Sequence, residues 1–200
     1  MQLVVVGIGT DVGKTIVSSI LVEKFKSNYW KPVQAGELDN SDSHKVERLA
    51  DSCKKVFPEI HRLNTPASPH YAAELDGIQI HHEDFVLPNV GDLIIEAAGG
   101  LMVPLNEEGL LYVDIIQQWK IPVVLVSRHY LGSINHTLLS LEVLKSRGID
   151  VFSVVFVGDE HVATESIIQK HYPELLYVRV PNLKEINSEN IKKIAAVINL

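Results

Sequence analysis

The sequence predicts an α/β fold, three layers (α/β/α) around a mainly parallel central sheet. Three observations carry that expectation. Predominantly apolar runs recur at Leu3 to Val6, Leu93 to Ile95, Ile121 to Ser127 and Val151 to Val157, and near-continuous rather than alternating apolarity suits parallel strands covered on both faces. Segments with helical spacing separate these runs, so βα units joined by right-handed crossovers follow. Two hundred residues with 46% hydrophobic content suffice for a full sheet in one domain, expected over residues 1–200.

The first run leads into Gly7-Ile8-Gly9-Thr10-Asp11-Val12-Gly13-Lys14-Thr15 and then an amphipathic segment. A glycine-rich turn whose amides converge at a helix N-terminus gathers partial positive charge and can cradle a phosphate chain. The stretch approaches the P-loop pattern G-x-x-x-x-G-K-[ST], with Ile8 where the first glycine is required and Gly7 and Gly9 flanking it. Lys14 is placed to neutralise the β and γ phosphates, and the Thr15 hydroxyl to complete a magnesium shell. A strand-to-helix turn with an incidental Gly-Lys-Thr competes with this reading. The strand before and the helix after favour nucleotide binding.

Ile16, Val17, Ile20, Leu21 and Phe25 recur at helical spacing, which predicts a helix over Thr15 to Lys26. Tyr29 to Val33 reads as a second short strand. The following Pro and Gly of Lys31-Pro32-Val33-Gln34-Ala35-Gly36 leave Lys31 near a strand's carboxyl end, where parallel sheets bind ligands. A solvated surface lysine is the equal alternative. Asn40-Ser41-Asp42 precedes a helix carrying Val46, Leu49 and Ala50, and either an N-cap or a metal role suits its acid.

From Val56 to Leu87 the pattern weakens, with Pro58, Pro66, Pro69 and Pro88 breaking up any long element. Ser68-Pro69-His70-Tyr71-Ala72-Ala73 can start a short helix with Pro69 in its first turn. His81-His82-Glu83 does not have metal spacing, since adjacent strand residues face opposite ways and no His-x-x-x-His pair occurs here. Gly91 to Glu96 is the next strand. Glu96, followed by Ala97-Ala98-Gly99-Gly100, stands where a second magnesium ligand belongs beside a phosphate loop, or caps the turn structurally. After the Ile121 strand, Leu131 to Thr137 leads into a helix through Leu138, Leu141 and Leu144 that Gly148 ends. Val151 to Val157, Glu160 to His171, Leu176 to Val180 and Asn187 to Ile198 read as strand, helix, strand and helix.

The net charge of −7 without a basic run argues against a nucleic-acid surface. Cys53 is the sole cysteine, which removes an intramolecular disulfide and fits a reducing compartment. No apolar run approaches the ~20 residues of a membrane span, and the chain opens on a strand without a leader pattern. A cytoplasmic protein without membrane attachment is expected.

Six segments together resemble dethiobiotin synthetase, in that family's order: Gly9 to Thr15, Lys31 to Gly36, Asn40 to Asp42, Ser68 to Ala73, Glu96 to Leu105 and Leu131 to Thr137. The resemblance implies a P-loop NTPase fold and a ligase of biotin biosynthesis. In that family 7,8-diaminopelargonate takes up CO2 as a carbamate, ATP phosphorylates it, and the second amine closes the ureido ring. It implies that Lys14, Lys31, Thr10 and Asp11 serve the chemistry, with the two lysines bracketing carbamate and γ-phosphate. Thr15, Asp42 and Glu96 would hold Mg2+. Gly9, Thr10, Asp11, Val12, Gly13, Lys14 and Thr15 would hold the nucleotide's phosphates, and Gly158 with Pro181, Asn182 and Leu183 its base. The diamine would meet Lys31, Ala35, Glu96, Gly99 and Gly100, with Leu131 and Asn135 contributing across a homodimer interface.

Four departures from the family pattern have consequences. Ile8 replaces a common Thr and is expected to turn toward the core. Asp11 is a methylene shorter than the usual Glu, and Ala35 lacks the hydroxyl of the usual Ser or Thr. Gly158 stands where an Asn would read adenine, so backbone groups must read the base and relaxed preference among ATP, CTP and other nucleoside triphosphates is expected. Two other functions compete: a P-loop ATPase switch, disfavoured by Gly9 where such switches carry Lys, and a non-catalytic nucleotide-binding module, disfavoured by the retained Lys14, Lys31, Thr15, Asp42 and Glu96.

Overall fold

A computed structural model describes residues 1–200. Nine strands and seven α-helices alternate: β1 (Gln2–Gly7), α1 (Lys14–Phe25), β2 (Asn28–Trp30), β3 (Val33–Ala35), α2 (Asp42–Leu49), β4 (Val56–Phe57), β5 (His61–Leu63), α3 (Pro69–Asp76), β6 (Leu93–Gly100), α4 (Tyr112–Trp119), β7 (Val123–Arg128), α5 (Ser133–Ser146), β8 (Val151–Val157), α6 (Val162–His171), β9 (Tyr177–Val180) and α7 (Ser188–Val197). Seven strands form one sheet in the order β4-β2-β6-β1-β7-β8-β9, and every pairing in it is parallel. Helices cover both sides of it, α1 packing with α2 and α7, and α5 with α6.

β1 is central because its residues can afford no water. Leu3, Val4, Val5 and Val6 are fully buried between β6 and β7, and each such side chain stabilises the fold by roughly 1.5–3 kcal/mol. The core cluster continues through Leu93 to Ile95, Val123 to Val126 and Val154 to Val157. The carboxyl ends of β1, β2 and β6 therefore come out side by side, and the loops that follow them share one rim.

The expected strand from Tyr29 to Val33 is corrected by the structure. β2 ends at Trp30, and β3 pairs with β5 in a separate two-stranded parallel sheet. Pro32 explains the break, since it has no amide to donate to a ladder. Its carbonyl instead accepts from the amides of Ile60 and His61 at 2.8 and 3.0 Å. β6 also runs past Glu96 to Gly100, where it meets Gly7 after a register shift between Val5 and Gly7. α3 begins at Pro69 as expected. α4 was not foreseen, although Val113, Ile115, Ile116 and Trp119 give it a buried face. Phe85 packs edge-on against Tyr112 and Trp119 of α4, at 6.3 and 6.4 Å between ring centres. This fastens the irregular stretch before β6 to the core.

Candidate active site

The loop between β1 and α1 is held open by its glycines. A side-chain carbon on Gly7 would lie 2.6 Å from Val12 Cγ2 and 2.7 Å from the Gly9 carbonyl, so only glycine lets the chain double back there. Gly13 caps α1 with φ +99°, and a Cβ there would press on Val157 of β8 at 3.1 Å. Asp11 adopts a left-handed φ of +56°, a conformation that short polar side chains tolerate better than most. The Ile8 side chain turns inward and is buried, as expected. Lys14, nearly buried, reaches back over the loop to donate to the Gly9 carbonyl at 3.0 Å. Burial lowers its pKa, against an opposing pull from Glu96.

A charged cluster faces this loop from β2, β6 and α2. Glu96 is fully buried. Its Oε1 accepts from the Thr15 hydroxyl at 2.9 Å and from Lys31 Nζ at 3.2 Å, while its Oε2 accepts from the Tyr29 hydroxyl at 3.0 Å. Lys31, 5% exposed, also pairs with Asp42. Burial alone would depress the Lys31 pKa, but the carboxylates of Glu96 and Asp42 outweigh it and hold the ammonium protonated above its ordinary range. For Asp42, burial acts upward, yet the Lys31 and Lys45 ammonium groups hold its carboxyl well below the usual range. Burial and the Glu96 charge push the Tyr29 phenol well above its ordinary pKa, so it stays a hydrogen-bond donor.

Asp42 owes its place to the start of α2. Ser41 caps the helix, its hydroxyl accepting from the His44 amide at 3.4 Å while His44 Nδ1 accepts from the Ser41 amide at 3.1 Å. Gln34 Oε1 accepts from the Asp42 amide at 3.3 Å and Gln34 Nε2 donates to the Gly36 carbonyl at 2.9 Å. Gly36 has φ +71°, and Pro66 would collide with a Cβ there at 2.5 Å. The cap, the glutamine and the tight Gly36 turn therefore fix the Asp42 carboxylate beside Lys31. Neither Tyr29 nor Gln34 was picked out from the sequence. Tyr29 stands two residues before Lys31, on the same face of an extended strand, which is the signal that could have found it.

The loop and the charged cluster share one cleft of about 920 Å3. Thr10, Asp11, Gly13, Lys14, Thr15, Lys31, Ala35, Asp42, Glu96 and Gly99 all face it, and so do Lys45 and Arg48 of α2. Pro66 to Pro69 form part of its wall, which gives the proline-broken region before α3 a place in the enclosure. Gly9 and Gly100 pack against each other behind the loop, a Cβ on Gly100 lying 3.6 Å from Gly9 Cα. The remaining expected positions lie elsewhere. Gly158 donates its amide to Val180 and lies beside the Asn182 side chain; Pro181 and Asn182 are exposed and Leu183 half-buried. Val157, next to Gly158, lies against Gly13 of the phosphate loop. Leu131 is fully exposed and Asn135 exposed, at the start of α5 and outside the cleft.

Thr15, Asp42 and Glu96 offer a hydroxyl and two carboxylates joined through Lys31. An all-oxygen donor set is what a small hard cation such as Mg2+ takes, so the residues present fit that ion.

Comparison with known proteins follows the same line. The AAA domain family matches residues 1–190. The ATP-dependent dethiobiotin synthetase BioD of Christiangramia forsetii is 56% identical over 168 residues, 83% of this chain and 80% of its own. The protein of the same name from Afipia carboxidovorans is 45% identical over 194 residues, 96% and 92% of the two chains. Among solved structures, a ParA family ATPase from Chlorobium tepidum covers 98% of this chain and 97% of its own, with a TM-score of 0.59 at 12% identity. A plasmid partition protein from Borrelia burgdorferi bound to AMPPNP covers 98% and 88% with a TM-score of 0.55 at 9% identity. At such identities the structural likeness concerns the fold alone, which is that of P-loop ATPases. Identity at the level of the first two relatives, over most of both chains, decides the family: the chain belongs to the ATP-dependent dethiobiotin synthetases.

Proposed function

We propose that this chain, acting as one P-loop domain over residues 1–200, makes dethiobiotin from 7,8-diaminopelargonate, CO2 and ATP. One amine of the substrate adds to CO2 and loses a proton to give a carbamate. A carbamate oxygen then attacks the γ-phosphorus with loss of ADP. The second amine attacks the carbonyl carbon of the resulting carbamic-phosphoric anhydride, and phosphate leaves as the ring closes.

The observation that supports this reading best is Lys31, 5% exposed and paired with both Asp42 and Glu96 in the cleft it shares with the phosphate loop. Its ammonium is already stripped of bulk water and anchored, so it can stabilise a developing anion with little reorganisation. Lys14 plays the same part for the γ-phosphate. Phosphoryl transfer consists mostly of positioning and charge stabilisation, and two fixed ammonium groups let two mutually repelling anions share one cleft. Thr15, Asp42 and Glu96 would hold Mg2+, which neutralises phosphate charge when bound. Thr10 and Asp11 border the substrate end of the loop, with Ala35, Gly99 and the Gly100 amide toward the diamine.

We further propose a cytoplasmic homodimer in which Leu131 and Asn135 at the start of α5 complete the partner's diamine site. The free amides of a helix start suit the diamine's carboxylate. Base recognition falls to backbone groups around Gly158 and Pro181 to Leu183, with relaxed preference among nucleoside triphosphates as the consequence.

The deciding experiment measures phosphate release with Mg2+ and bicarbonate, with and without 7,8-diaminopelargonate, together with the product mass. Release that depends on the diamine and a dethiobiotin mass are expected. Release indifferent to the diamine would overturn the reading in favour of an ATPase switch.

A further inference from the structure

The two oxygens of Glu96 have different neighbours. Oε1 faces Thr15 and Lys31 on the cleft side, whereas Oε2 is engaged from beneath by the Tyr29 hydroxyl at 3.0 Å. Both Tyr29 and Glu96 are fully buried, so no water competes for that bond. The strand register explains the reach. Tyr29 pairs with Ile94, two residues before Glu96, and a parallel strand rises about 3.3 Å per residue. The tyrosine must therefore lean forward along the sheet by about two residues to meet the carboxylate, and Lys31, two residues further on, meets the same carboxylate from beside it.

We propose that Tyr29 is a positioning residue for the reaction: its hydroxyl occupies Glu96 Oε2 and so presents Oε1 alone to the Thr15 side of the cleft. A buried carboxylate with a free second oxygen could swing about its terminal bond, which is a broad and weakly restrained torsion. The tyrosine removes that freedom without contacting the cleft itself. Tyr29 is absent from the residues lining the cleft, so its effect on a ligand passes through Glu96. This rests on the reading that Glu96 serves the metal-nucleotide complex.

Tyr112 supplies an internal comparison. Its phenol is also fully buried and close enough to Glu96 for that carboxylate's charge to push its pKa up, after burial itself. Its hydroxyl nevertheless has no hydrogen-bond partner. The same chemical group thus occurs near Glu96 both with and without the bond.

The test compares Tyr29→Phe, Tyr112→Phe and Glu96→Gln with the parent chain. Mn2+ binding in the presence of a non-hydrolysable ATP analogue is followed by electron paramagnetic resonance, and the Mg2+ requirement of turnover is measured in parallel. Losing the group that orients a metal ligand typically costs 10- to 100-fold in metal affinity. Tyr29→Phe should therefore weaken Mn2+ binding about 10-fold and raise the Mg2+ requirement by a similar factor. Metal-free nucleotide binding should not move, and Tyr112→Phe should match the parent. If Glu96→Gln weakens Mn2+ binding but Tyr29→Phe does not, the positioning role is wrong and the reading of Glu96 stands. If Glu96→Gln leaves Mn2+ binding intact, the reading beneath it fails. An equal effect of Tyr112→Phe, or loss of fold in Tyr29→Phe, would make the hydroxyl a matter of packing and overturn the proposal.

Discussion

Lys31 holds two carboxylates together, and both sides of that arrangement are measurable. Lys31→Ala leaves Asp42 and Glu96 without their shared cation, and breaking a buried pair typically costs about 3–5 kcal/mol. The thermal midpoint should fall, and turnover should drop by at least about 100-fold, the scale seen when one fixed stabiliser of transition-state charge is removed. Nucleotide binding should change little, because Lys14 remains. Comparable turnover in Lys31→Ala would refute the chemical role. The same pair predicts a pH response. Asp42 titrates lower in the folded chain than its ordinary 3.8, at about 2. A depressed carboxyl contributes stability that is present above its unfolded pKa and lost as pH falls through the folded one. Urea midpoints should therefore decline between pH 4 and pH 2, and Asp42→Asn should flatten the decline in that window. An unchanged slope in Asp42→Asn would remove the pair from the account. At this scale the sequence was most informative where residue type alone sets the chemistry, as at Lys14, Thr15 and Glu96. It was silent on the partners of Tyr29 and Gln34: the Tyr29 bond to Glu96 crosses 67 positions, and Gln34 meets the Asp42 amide only through the fold of the turn at Gly36.

The elements convert these side chains into a site through their ends. α2 begins at the Ser41 cap, and replacing an N-cap serine by alanine typically costs about 1 kcal/mol. Ser41→Ala should lower unfolding stability by that amount and, by loosening Asp42, weaken metal-dependent nucleotide binding; a loss of stability without the second effect would separate the cap from the site. The end of β6 gives a sharper contrast. Gly99 has φ +63°, and a Cβ would lie 2.8 Å from Val103 Cγ2, whereas a Cβ on Gly100 meets nothing nearer than 3.6 Å. Gly99→Ala should destabilise by about 1 kcal/mol or more, and Gly100→Ala should unfold close to the parent in the same denaturant titration. Equal destabilisation by the two would contradict the geometry. The sequence placed most of these elements by periodicity and turn residues, but misjudged β2. Tyr29 to Val33 is apolar enough to continue as a strand, and only the demand for a donor at Pro32, set by its neighbours, ends it. α4 escaped notice because it follows directly on a bridge between Pro104 and Leu111, without a clear start signal.

The whole molecule carries the expectations that a lone protomer leaves open. Leu131 is fully exposed at the head of α5, and Met102 and Leu139 are about half-exposed. In the proposed homodimer, Leu131→Asp should shift the protein to monomer in light scattering. It should abolish diamine-dependent turnover while sparing nucleotide binding, whereas a monomeric but fully active variant would overturn the shared site. The proposed base recognition by backbone groups around Gly158 and Pro181 to Leu183 predicts that CTP and GTP support turnover within about 10-fold of ATP, the effect of ~1.4 kcal/mol. A strong preference for ATP would assign base reading to a side chain.

The amino-acid sequence alone determined the parallel α/β architecture, the phosphate loop and the identities of the charged groups around it. Those features are written in short-range terms: apolar runs that must be buried, glycines where a backbone must double back, and a lysine at a helix start. Only the tertiary structure decided which carboxylate oxygen meets which donor. It also showed that Pro32 turns the chain out of the main sheet and that Gln34 and Pro66 brace the turn before Asp42. Most of those outcomes join residues far apart in sequence, Thr15 and Tyr29 to Glu96, Pro32 to Ile60 and Gly36 to Pro66, and close packing rather than local pattern brings them together.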